Sequence, residues 1–144
     1  MEVDIEIFEK IYGDAKGYHQ RALLFVSEQQ RPSLIFNLAS VSLECYLVAL
    51  CELYGTMPRN HNFVSLMNAV ERVIAVPRAI SKSVRSLDML FGICPIEKDY
   101  QNLPEDADAE LVLSLCKQVN ELFDQSLISS IKLMSEVTED ILNG

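Results

Sequence analysis

The chain has 144 residues, the usual size of one domain, with 49% apolar residues, few Gly and Pro, and no Trp. That composition excludes intrinsic disorder and supplies a core without disulfide or metal staples. The formal net charge of −9 repels phosphate backbones at long range, which disfavours generic nucleic-acid binding.

The first residues, Met1 to Glu6, are acidic and lack an apolar run, so no signal peptide is expected and the expected compartment is the reducing cytoplasm. Ile5, Phe8, Tyr12, Ala15, Ala22 and Val26 recur mostly at helical steps and predict a first helix over about Val3 to Gln30. Gly13 and Gly17 weaken it and suggest a kink or a close helix contact. Arg31-Pro32-Ser33 marks a stop and a restart, because Pro suits the first turn of a new helix.

The second helix is expected from Pro32 to Tyr54, ending at Gly55. It is apolar on nearly every side, and Asn37, Ser40, Ser42, Glu44 and Glu52 favour a buried core helix over a membrane span. Ser33, Asn37, Ser40 and Glu44 step by four, three and four, and so form one stripe. That stripe reads as a solvated seam, or alternatively as a polar groove or dimer seam.

Pro58 to Asn62 is a loop, and Asn60 or Asn62 caps a third helix with Phe63, Leu66, Met67, Val70 and Ile74 inward. Pro77 opens a fourth helix with Ile80, Val84, Leu87 and Phe91 inward. Gly92 to Asp106 is an acidic connection holding Pro95, Glu97, Asp99 and Pro104. Asp106 or Asp108 caps a last helix running to about Leu142, with Ser126, Ser129 and Ser130 as the place for a bend. The expected fold is all-α: one domain over residues 1–144, an up-and-down bundle of four to five helices.

The residues offer little catalytic chemistry. Cys45, Cys51, Cys94 and Cys116 form no C-x-x-C pair, and neither histidine stands at zinc spacing with them, so no metal is expected. The glycines are scattered, Glu-x-x-His is absent, and no G-x-S-x-G elbow occurs; no cofactor and no catalytic residue is expected. His61 sits at a helix start, where the dipole disfavours its protonation, and it is expected to bond locally. His19, alone on the first helix, is expected to be structural or exposed. Arg78, Lys82 and Arg85 share a helix face. From Arg59 to Arg85 five basic residues stand against Glu71 alone, a local excess of four positive charges in an acidic chain. This is a solvated helix face, or else a site for a nucleotide-like anion, an RNA segment or a protein partner.

The run from Ser42 to Gly55, followed by Pro58 and by His61-Asn62-Phe63-Val64-Ser65-Leu66, resembles the HEPN family. Glu44, Leu47, Ala49, Leu50, Gly55, Pro58, His61 and Leu66 match that family's outline of a helix ending at Gly, a short Pro loop, and a His opening the next helix. Cys45 and Val48 replace the family's central lysines. No Arg is followed by His at the spacing of the family's nucleases; Arg59 is only two residues before His61. The resemblance implies a helical bundle, frequent homodimerisation, and a role beside a nucleotidyltransferase or in a toxin–antitoxin, defence or stress system. Arg59, His61, Arg78, Lys82, Arg85 and Glu44 are the candidate binding residues of a non-catalytic HEPN-like domain that dimerises and binds a protein partner or a nucleotide-like anion. The alternatives are an atypical ribonuclease around Arg59 and His61, and a structural or regulatory bundle of another family.

Overall fold

A computed structural model describes residues 3–91 and 103–143. They form six helices: α1 (Ile5–Ser27), α2 (Pro32–Tyr54), α3 (Phe63–Glu71), α4 (Arg78–Phe91), α5 (Asp106–Asn120) and α6 (Gln125–Asn143). No strand occurs among the described residues. Expectations for Cys94, Pro95, Glu97 and Asp99, and for the side chain of Phe91, lie outside the described residues.

Local chemistry sets the helix ends. The Asp4 carboxylate accepts from the backbone N–H of Glu6 and Ile7 and starts α1. At its other end Gln29 takes φ 58°, while Gln29 N–H donates to Val26 and Gln30 N–H to Phe25. This is a Schellman closure with Gln where Gly is usual. Gly55, with φ 66°, closes α2. Asn62, rather than Asn60, caps α3 by accepting from Ser65 N–H at 2.8 Å. Glu105, rather than Asp106 or Asp108, is the N-cap of α5; Asp108 instead accepts from Glu105 N–H at 2.8 Å.

α2 is the central helix. Eleven of its residues are buried, among them Leu43, Tyr46, Leu47 and Leu50. It is long and apolar enough to cross a bilayer, and here it forms the middle of the core. α1 packs antiparallel against it, with Tyr12 near Tyr46 and Ser42 against Ala15. α5 runs parallel to it on another side, with Cys116 at Ala39 and Phe123 beside Tyr46. α3 and α4 pair with each other, and α3 packs on α2.

Two expectations need correction. α1 runs unbroken through Gly13 and Gly17, and a Cβ at either would meet nothing within 4 Å, so neither glycine marks a close contact. The last helix is two helices, which raises the total among the described residues to six. The break is at Glu121–Asp124, ahead of the serines. Phe123 leaves the helical register to stack on Tyr12 at 4.3 Å, and Asp124 restarts the helix by accepting from Leu127 N–H.

Open space around both α1 glycines makes them correctable. Gly13→Ala and Gly17→Ala are each expected to raise stability by roughly 0.5–1 kcal/mol, by removing unfolded-state freedom, as measured by urea unfolding.

Candidate functional site

The α3–α4 hairpin carries most of the candidate residues, and its geometry follows from one carboxylate. Asp88 reaches from α4 to the start of α3, where its two oxygens accept from Phe63 N–H at 3.1 Å and Val64 N–H at 2.9 Å. Together with Asn62, this fills the positive end of α3 with side-chain acceptors. His61 and Arg59 precede it in the loop, and both are exposed.

At the other end of the hairpin, Arg85 is spent on structure. Its Nη2 donates to Glu71 Oε1 at 2.6 Å, its Nη1 to Asn68 at 2.7 Å, and its Nε to Ser81 Oγ at 3.1 Å. The half-exposed pair clasps α3 to α4. The Ser81 hydroxyl, and then Arg85, hold the Glu71 carboxyl below its usual range. Arg78 and Lys82 are exposed on α4. The structure therefore divides the basic set. Arg78 stands by the C-terminal end of α3, and Arg59 and His61 by its N-terminal end, about 13 Å apart at 1.5 Å per residue over nine residues. Glu44 is elsewhere, exposed on the outer face of α2 with Asn37, while Ser33 and Ser40 are partly covered.

Sequence reasoning missed the polar contacts inside the bundle. His19 Nδ1 lies 3.1 Å from the Tyr46 hydroxyl, and the rings meet edge-on. Tyr12 donates to Asn120 at 2.8 Å and accepts from Gln125 at 3.2 Å, which ties α1 to both halves of the last helical segment. Ser42 donates to the Ala15 carbonyl at 2.7 Å across the α1–α2 contact. Burial raises the Tyr46 phenol above its ordinary range and lowers the His19 imidazole. Tyr12, Ser42 and His19 were visible as polar residues on inward stripes; their partners, as far as 113 residues away, were not.

The described cysteines are free, and burial keeps their thiols protonated: Cys51 is raised to about 11 and Cys116 to about 12. Cys45 is raised by burial and then by Glu44 and Asp14. Among the described residues no cluster of three His, Cys, Asp or Glu could hold a metal ion. A groove of about 500 Å³ lies between the α1–α2 turn and the start of α5, where Arg31 faces Asp106 and Glu110. Its charges are of both signs, and among the described residues no buried side-chain polar atom lacks a partner. No protein-family model, curated protein or solved structure matches the chain.

Two measurements check these assignments. Arg85→Gln is expected to lower stability by about 1 kcal/mol, whereas Arg78→Gln and Lys82→Gln stay within about 0.5 kcal/mol in thermal unfolding. Equal effects at all three positions would contradict the division. His19 is depressed from 6.5 in the folded state, so below about pH 6.5 the unfolded chain binds more protons there. Its contribution is complete above that pH and is lost as pH falls toward the folded-state value. Urea midpoints at pH 7 and 5.5 should therefore differ less in His19→Gln than in the parent.

Proposed function

We propose that the chain is a non-catalytic, HEPN-like helical domain that acts by binding, as a cytoplasmic homodimer that engages a protein partner in a toxin–antitoxin, defence or stress system. The observation that carries this reading is the open side of α2. Leu34 and Val41 are 37% and 43% exposed there, with Leu38, Cys45 and Val48 only partly covered. A central helix that leaves an apolar strip uncovered, flanked by Asn37 and Glu44, has the character of a self-complementary helix seam. The groups that would serve catalysis support the same reading from the other side. Arg59 and His61 are solvated, Arg85 is committed to Glu71, and the described thiols are protonated at neutral pH. Arg78 and Lys82 are the exposed cations left for a nucleotide-like anion.

The test places one charge in the middle of the seam. The wild-type protein should scatter light as a dimer, and Val41→Asp should weaken self-association at least about 100-fold while circular dichroism is unchanged. A wild-type monomer at high protein concentration would refute the dimer. Ribonuclease activity lost in His61→Ala would refute the non-catalytic assignment.

A further inference from the structure

α6 carries more apolar surface than this fold covers. None of its residues is buried, and Leu133, Met134, Val137, Ile141 and Leu142 are between 50% and 79% exposed. At roughly 200 Å² for a fully exposed residue of this size, the five leave on the order of 650 Å² uncovered, close to the ~800 Å² that one partner contributes to a standard interface. α6 runs beside the first turns of α1, and the two wall a groove of about 680 Å³ floored by Val3, Ile131, Met134 and Leu142.

The charge around this groove selects the occupant. Glu6 and Glu139 stand on its rim, and Glu136 and Asp140 are exposed on α6. The one cation of α6, Lys132, is already paired with Glu9 at 3.5 Å. A second copy fits poorly. An antiparallel pair of α6 helices centred on Val137 would set Leu133 against Ile141, but would bring Glu136 and Asp140 of both copies together, like charge against like. An apolar trough with acidic edges is complementary instead to a helix with one apolar stripe and lysines or arginines beside it.

We infer that the α1–α6 groove seats a basic amphipathic helix of a partner protein, its apolar residues at i, i+3 or i+4, and i+7 against Met134, Val137 and Ile141, and its cations against Glu6, Glu136 and Glu139. This gives the protein partner of the reading above its chemistry, and it rests on that reading only in taking binding as the function; it uses a face separate from the α2 seam.

The probe is a fluorescein-labelled Leu/Lys amphipathic peptide of about 18 residues, long enough for some five helical turns, compared with a scrambled peptide of the same composition. Fluorescence anisotropy should give a Kd of roughly 1–10 µM for the amphipathic peptide and at least tenfold weaker binding for the scrambled one. Val137→Asp adds negative charge, so attraction by charge alone would tighten binding; the groove instead requires it to weaken at least about tenfold. Ile141→Gln is the milder second variant, expected to weaken binding about threefold, and circular dichroism checks that both remain helical. Glu136→Gln combined with Glu139→Gln should weaken binding several-fold and flatten its salt dependence. Equal binding of the two peptides, or a Val137→Asp protein that binds as well as the parent, overturns the proposal. So does a Val137→Asp protein that falls from dimer to monomer, because the face would then belong to a second copy. If Val41→Asp leaves a dimer intact, the α2 seam fails while the groove stands on its own result.

Discussion

A helix that is apolar nearly all the way round has one stable place, the middle of other helices, and this constraint on α2 organises the molecule. Leu43, Leu47 and Leu50 are fully buried, and Tyr46 is almost so. Covering them requires α1 on one side, α5 on another and α3 against the C-terminal half. At about 25 cal/mol per Å² of apolar area removed from water, each such side chain contributes roughly 1.5–3 kcal/mol. That is large beside any cap or ion pair found here. The elements that touch α2 are accordingly core elements, while α4 and α6 attach mainly through α3 and α1.

Within that apolar frame the polar groups act as registration marks. Ser42 can reach the Ala15 carbonyl only at one offset of α1 along α2, and Tyr12 can reach Asn120 and Gln125 only if the chain breaks between them. Leaving any of these groups buried without its partner would cost about 1–3 kcal/mol, so they penalise slippage that leucine contacts tolerate. The α5–α6 break belongs to the same logic. Phe123 joins the ring cluster of Phe8, Tyr12 and Tyr46, and the helix restarts behind it at Asp124.

Charge is distributed by a related division. Asp88 and Arg85, which look like a functional acid and base on α4, hold α3 in place from its two ends. Charges left in solvent collect on other faces: Arg78 and Lys82 on α4, and Glu136, Glu139 and Asp140 on α6. The uncovered apolar surface also lies outside the hairpin, on α2 and α6. A molecule arranged this way presents surfaces and not a pocket of convergent catalytic groups, and for that reason binding is the function assigned to it.

The sequence by itself determined the helical class, the central place of α2, and the helix ends at Asp4, Pro32, Gly55 and Asn62, because these depend on periodicity and on side chains that act within a few residues. It also held the cue for the break it did not reveal: Asp124 followed by Leu127 is a cap ahead of an apolar run, masked by a helical pattern that continues on both sides. Tertiary structure alone decided what the basic residues do. Arg78, Lys82 and Arg85 share one face of α4 in sequence, yet only Arg85 meets Glu71 and Asn68, because those lie on a helix folded back against it. It likewise decided which apolar residues stay uncovered. Val137 and Ile141 look like core positions in a helical pattern, and nothing local distinguishes them from Leu43 or Leu47. The difference is whether another helix is there to cover them, and that depends on chain packing rather than on the residues themselves.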